Sequence, residues 1–328
     1  MVNPKISICL ITYRPGGVDV LLAGLCQQEF DHNDFEVVLV DALYSRRHDL
    51  VADTFAQHRI SLVHTPPRER LLPLDSCPQA RNSAIAKANG ELILWLVDYS
   101  CLPPQCLTEH WGVYQYFNKK RTAMGAHKYL YPPETAYELP DYAPIKMFTP
   151  NQERGVTYGY DEHASLQFYD DVEGGFYDQY MYSIFKTSMS VKDIGALHDD
   201  PLFFSADPKL TGKVGAKISG NFFHAKAETT KLDMVVAVNG FDEVFEGHLY
   251  DDTAMGHRLE HAGAEWLLLD PVATVSIVNS RHYFPHLVRR QATEAQRNVY
   301  EKIRTDSDVV TSQTGYSIAE MRKLCWWY

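Results

Sequence analysis

The chain has 328 residues, 45% of them hydrophobic and 22% charged, which suits a globular protein with one large core or two modest ones. Its formal net charge of −11 repels phosphate polymers, and no local basic patch offsets that field for nucleic acid or an anionic membrane. No early segment joins a basic start to a long apolar stretch, and no run approaches the ~20 apolar residues of a membrane span, so the sequence predicts a cytoplasmic protein without a transmembrane segment.

ISICLIT (6–12) is rich in β-branched and apolar residues and ends at Pro-Gly-Gly, the pattern of a short buried strand. Val18, Leu21, Leu22 and Leu25 then recur at helical spacing, and FEVVLVDA (35–42) reads as a second buried strand. After a polar stretch at 45–57, HRISLVHTPP (58–67) supplies a third strand. CPQARNSAIAKANG (77–90) has Pro just inside its start and Gly at its end, as helices do, and ELILWLVD (91–98) is a fourth strand. Strand and helix alternate through residue 104, which predicts a parallel sheet with crossover helices. Half of the chain's 20 tyrosines then crowd into residues 129–182, without a long periodic segment. Regularity returns at 215–243, followed by a helical DDTAMGHRLEHAG (251–263), a strand-like EWLLLDPVATVSIV (265–278) and a surface helix within RQATEAQRNVYEKIRTD. The six cysteines show no CxxC or other metal-ligand spacing and read as reduced, structural thiols.

In an open α/β sheet ligands gather at the carboxyl ends of the strands. That rule selects Thr12, Tyr13 and Arg14 after the first strand, Asp41 after the second and Asp98 after the fourth. Asp41 is placed either to accept the ring N–H of a pyrimidine or to cap a turn. No GxGxxG follows the first strand and no GxxxxGK[ST] occurs, so neither a dinucleotide fold nor a P-loop is indicated. Arg81 and Asn82 open a helix, where a guanidinium and backbone N–H groups can meet phosphate.

The ordered set TYRPGG, FEVVLVD, ARNSAIAKANGELILWLVDYSCLPP, SGNFF, NGFDE and DDTAMGHRL resembles the inverting family 2 glycosyltransferases, over roughly residues 5–105 and 215–275. The resemblance implies the GT-A type fold: a mostly parallel central sheet flanked by helices. It would occupy residues 1–285, with a nucleotide-binding half at about 1–105, an inserted Tyr-rich region at about 125–212 and an acceptor half at about 213–285. Residues 286–328 would form a C-terminal helical extension.

The same resemblance implies an enzyme that moves a sugar from a nucleotide diphosphate sugar, UDP-linked in the usual case, to an acceptor hydroxyl. Thr12, Tyr13 and Arg14 would wrap the nucleoside, Asp41 would read the base, and Arg81 and Asn82 would line the donor pocket. Val97-Asp98-Tyr99-Ser100 occupies the DxD position with only one carboxylate, so Asp98 and the diphosphate would hold a divalent cation, Mn²⁺ or Mg²⁺. His282 is a further metal candidate, and Arg281 could instead neutralise phosphate. Asp252 would be the general base with Asp251 in support; an acidic first turn on a helix dipole is the plainer alternative. On the acceptor side, Gly220 would let the backbone approach the sugar and Asn221 would bond its hydroxyls, while Trp266 either stacks on a sugar face or belongs to the core. The acceptor class stays open among glycan, protein, lipid, small molecule and modified nucleobase. Two competing readings remain: a non-catalytic nucleotide- or glycan-binding relative, prompted by the depleted DxD position, and, more distantly, a sugar nucleotidyltransferase.

Overall fold

A computed structural model describes residues 3–12, 18–68, 77–98, 100–130, 217–245, 250–277, 293–312, 314 and 317–324. Tyr13, Arg14, His282 and nearly all of the Tyr-rich region lie outside the described residues. The strands are β1 (Ile6–Thr12), β2 (Phe35–Asp41), β3 (Ser61–Thr65), β4 (Leu92–Trp95), β5 (Ser100–Cys101), β6 (Thr122–Leu130), β7 (Lys217–Ile218), β8 (Thr229–Lys231) and β9 (Trp266–Ile277). The helices are α1 (Val18–Cys26), α2 (Tyr44–Gln57), α3 (Cys77–Lys87), α4 (Cys106–Tyr116), α5 (Leu232–Ala237), α6 (Asp251–His261), α7 (Glu294–Thr305) and α8 (Ile318–Leu324).

The main sheet has the order β3-β2-β1-β4-β8, parallel except for β8. Its strands alternate between two cores because successive side chains point to opposite faces. Ile6, Ile8 and Leu10 meet the apolar stripes of α1, α2 and α4, whereas Cys9 faces a second cluster with Ala84 and Ile85 of α3, Val235 of α5 and Met255 of α6. Both faces are therefore covered, which is why these strands read as nearly continuous apolar runs. A second sheet, β5-β9-β6, pairs β9 with β6 in parallel, and β7 joins β9 antiparallel.

The strand order fixes where a ligand can sit. The chain leaves β1 towards β2 and β3, then returns to the other side of β1 as β4, so a switch point opens beyond the carboxyl ends of β1 and β4. The parallel register puts Thr12 beside Asp41 at that edge, and β8 brings Glu228 to the end of β4, where Trp95 N–H donates to the Glu228 carbonyl at 2.9 Å. Among the described residues no helix is long and apolar enough to cross a membrane.

Candidate functional site

The site is built on a frame that joins α3 to the head of α6. After α5 the chain bends through Asn239 (φ 64°) and Gly240 (φ 68°), left-handed conformations that Asn and Gly tolerate better than other residues. Asn82 of α3 then clamps the next residue on both sides: its Oδ1 accepts from Phe241 N–H at 2.8 Å and its Nδ2 donates to the Phe241 carbonyl at 3.0 Å. Asp242 ion-pairs with buried Arg258 of α6 at 2.6 Å, and both carboxylate oxygens of Glu243 accept hydrogen bonds from Arg68 Nη2, each 2.9 Å. The polar residues of NGFDE thus lock the relative position of two helices.

That frame delivers one side chain from α3 to the start of α6. The Arg81 guanidinium donates to Asp251 Oδ2 at 2.6 Å and to Asp252 Oδ1 at 2.5 Å, while it lies 5.0 Å over the Phe241 ring. Of the three side chains Asp252 is the most open, 22% exposed against 10% for Arg81 and 4% for Asp251. Burial works against the Arg81 charge, but Asp252 and Asp251 outweigh it and hold the guanidinium protonated beyond its ordinary range. Burial pushes Asp252 up to about 8; Arg81 pulls the other way, and the neighbouring Asp251 carboxylate adds to the rise.

Beside this cluster stands Glu228, a group that sequence reasoning missed. Its buried carboxylate accepts the backbone N–H groups of His224 (3.1 Å), Lys226 (2.7 Å) and Ala227 (3.0 Å), and this folds the 224–227 turn against the end of β4. Burial raises the Glu228 pKa against the pull of those N–H donors. The available signal was one acid just before a three-residue strand, with no periodicity to mark its direction.

At the sheet edge Thr12 Oγ1 donates to Asp98 Oδ2 at 2.6 Å, so the ends of β1 and β4 are tied across the switch point. The Ser100 hydroxyl, two residues on, is buried with no hydrogen-bond partner among the described residues. The D-x-S segment therefore offers one carboxylate and one neutral oxygen. Among the described residues no group of three His, Cys, Asp or Glu side chains gathers as a metal site.

Several expectations are corrected. Asp41 is fully buried, and both oxygens are occupied: Oδ1 by Leu43 N–H (2.8 Å) and Arg47 (2.7 Å), Oδ2 by Arg47 Nε (2.6 Å) and His64 Nε2 (2.9 Å). The side-chain bonds from His64 and Arg47 overcome burial and hold it below its ordinary pKa, so it is an internal anion rather than a reader of a nucleobase. Asn82 is buried and spent in the clamp on residue 241, so it does not line a donor pocket. Trp266 is fully buried against Phe223, and its Nε1–H donates to the Thr229 carbonyl at 3.0 Å; it belongs to the core, not to an acceptor surface. Gly220 serves a close crossing, because a Cβ there would lie 2.2 Å from the Gly256 carbonyl oxygen of α6. Asn221, the next residue, is exposed.

No protein-family model matches the chain, and no curated protein matches it. Solved structures do. GalNAc-T7 with UDP, GalNAc and Mn²⁺ aligns at a TM-score of 0.50 and 9% identity, over 98% of this chain and 54% of that one. S. aureus TarS 1–349 aligns at 0.49 and 11%, over 83% of this chain and 60% of that one. The mannosyltransferase PcManGT from Pyrobaculum calidifontis, in complex with GDP-Man and Mn²⁺, aligns at 0.48 and 12%, over 98% and 74%. The chain thus spans little more than half the length of GalNAc-T7 and about 60% of TarS 1–349. The likeness to GalNAc-T7 shows the fold alone: a mixed α/β architecture with a mostly parallel central sheet flanked by helices.

Proposed function

We propose that the protein transfers a sugar from a nucleotide diphosphate sugar, UDP-linked, to an acceptor hydroxyl with inversion, and that Asp252 is the general base. The observation that carries this reading is the Arg81–Asp251–Asp252 cluster, in which the most exposed member is a carboxylate whose pKa is raised towards neutrality. A base with a pKa near the working pH combines a populated ionised form with real proton affinity.

In the proposed step the acceptor O–H gives its proton to Asp252 as its oxygen bonds the anomeric carbon. The bond from that carbon to the diphosphate oxygen breaks on the opposite face, and the nucleoside diphosphate leaves with the electron pair. Arg81 aims the carboxylate, and Asp251, nearly buried, completes the bridge that fixes the guanidinium. The donor would lie over the switch point, with its nucleoside in the loop of Thr12, Tyr13 and Arg14 and its diphosphate towards Asp98. A divalent cation, Mn²⁺ or Mg²⁺, held by Asp98 with His282 as a second ligand, would neutralise charge on the leaving diphosphate. Asn221, exposed next to the Gly220–Gly256 crossing in the middle of α6, is the acceptor-side residue that remains in this reading.

The experiment is release of UDP from a panel of UDP-sugars, with water as the minimal acceptor, by the native chain and by Asp252→Asn. Loss of about 10²–10⁴-fold in the variant is expected for removal of a general base. Equal rates in both would remove Asp252 from the chemistry. A second reading, a nucleotide-sugar binder without turnover, is favoured by one observation: Arg81 already occupies an oxygen of Asp252 at 2.5 Å. It predicts saturable donor binding, unaltered by Asp252→Asn, with no release above background.

A further inference from the structure

The residue that opens α6 is unusual. Tyr250 is the N-cap of the helix, yet it sits at φ 63°, ψ −7° in the left-handed region and makes no side-chain capping bond. N-caps ordinarily hold an extended conformation and use Ser, Thr, Asp or Asn. An L-residue with a Cβ disfavours the left-handed region by roughly 5- to 30-fold in population, so something outside the residue must hold it there. The Tyr250 carbonyl accepts Ala254 N–H at 2.7 Å, which makes the conformation at 250 the setting for the first turn and for Asp251 and Asp252 within it.

The holding group comes from the C-terminal part of the chain. The Tyr300 ring of α7 stacks on the Tyr250 ring with centroids 4.3 Å apart and planes at 12°, and Phe245 meets the same ring edge-on at 6.3 Å. These rings belong to a small separate core centred on Phe245, Ala254 and Ile303. Helix α7 is anchored around it by polar bonds as well. Gln296 Nε2 donates to the Val244 carbonyl at 3.1 Å, and His261 Nε2 of α6 bonds the Ile303 carbonyl at 2.8 Å. The Thr293–Gln296 capping box fixes the start of α7.

We infer that Tyr300 is a positioning residue for the reaction: by stacking on Tyr250 it holds residue 250 left-handed and so aims Asp251 and Asp252 at Arg81. This rests on the reading of Asp252 as the base. It assigns α7 a task beyond covering apolar surface: α7 meets the turn that presents the acid pair at Tyr250, and it holds the same helix further along, where His261 bonds the Ile303 carbonyl and Tyr300 meets His257.

The test uses the full chain and follows UDP release, donor KM and the thermal midpoint in native protein, Asp252→Asn, Tyr300→Phe, Tyr300→Ala and Tyr300→Leu. The double variant Tyr250→Gly with Tyr300→Ala completes the set. Tyr300→Phe keeps the stack and retains the native rate. Tyr300→Ala lowers kcat about tenfold with donor KM unchanged, the range set by the left-handed penalty. Tyr300→Leu fills the space without a ring to stack and follows Tyr300→Ala, which covers the case in which the alanine variant loosens α7. Glycine adopts the left-handed conformation without a Cβ penalty, so Tyr250→Gly restores most of the rate lost in Tyr300→Ala. The inference is overturned if Tyr300→Ala and Tyr300→Leu keep the native kcat, or if the double variant stays slow at a native-like thermal midpoint. Failure of the underlying reading is distinct: Asp252→Asn would then release UDP as fast as the native chain, or no protein in the set would release it.

Discussion

Titration of Asp252 should be visible in the rate. With its pKa near 8, the carboxylate is ionised in about 10% of molecules at pH 7 and in about 1% at pH 6. A reaction that needs the ionised base then runs about tenfold below its alkaline plateau at pH 7 and about a hundredfold below it at pH 6. Initial rates of UDP release at low donor concentration, from mildly acidic to mildly alkaline pH, report the limb directly. Removing the like charge with Asp251→Asn should move that limb to lower pH, and removing the cation with Arg81→Met should move it to higher pH. Stability runs the opposite way. The folded Asp252 pKa lies above its ordinary value of 3.8, so between those values the native state holds more protons than the unfolded chain. The stability contributed by this group therefore falls as pH rises from about 4 to about 8, which urea unfolding across that range measures. A flat rate profile, or an Asp251→Asn limb displaced to higher pH, would refute the argument from burial and like charge.

Trp266→Phe keeps a ring in the core but leaves the Thr229 carbonyl without its donor; we expect about 1–3 kcal/mol of lost stability in urea unfolding and no change in the kinetics of sugar transfer. Gly256→Ala would put a Cβ 1.9 Å from the Gly220 carbonyl oxygen, so α6 must shift and stability should drop by about 1–3 kcal/mol; an unchanged midpoint would mean the crossing is loose. Asp41→Ala strips the acceptor from buried Arg47 and from His64, at about 3–5 kcal/mol in chemical denaturation, while calorimetric nucleotide affinity of the folded fraction stays native. A selective loss of affinity there would return Asp41 to the nucleotide site.

The strands were the most legible part of the sequence. ISICLIT coincides with β1, and FEVVLVDA overruns β2 by one residue, because a strand buried on both faces shows itself as a bounded apolar run. The stripe Val18, Leu21, Leu22, Leu25 marks α1 and is wholly buried. Helix α2 was hidden in the polar stretch 45–57, since only Arg47, Val51 and Phe55 face inward. That i, i+4, i+8 stripe was the overlooked sign that Arg47 is interior and near Asp41. Helix α4 and the pairing of β6 with β9, whose partners lie more than a hundred residues apart, carry no local signature of that association. At the site, the sequence singled out Arg81 for a donor pocket and Asp251 with Asp252 as an acid pair, without showing that the three side chains meet. Nor did it show that Asn82, one residue from Arg81, is spent on Phe241, because that bond depends on a segment 159 residues away.

The division between those two neighbours explains how the site is kept in working order. Arg81 and Asn82 are consecutive on α3, and Asn82 fixes the NGFDE turn while Arg81 reaches the acid pair that follows it. Asp242 in the same turn grips Arg258, 16 residues away in sequence and on the helix that carries Asp252. A displacement of α6 relative to α3 therefore strains the Asn82 clamp and the Asp242–Arg258 pair together with the Arg81–Asp252 contact. Buried pairs of this kind are costly to break one partner at a time. Asn82, Asp242 and Arg258 are bonded within the frame, and Asp252 is the carboxylate of the cluster left with appreciable exposure, which is the condition a proton acceptor for an incoming hydroxyl must meet.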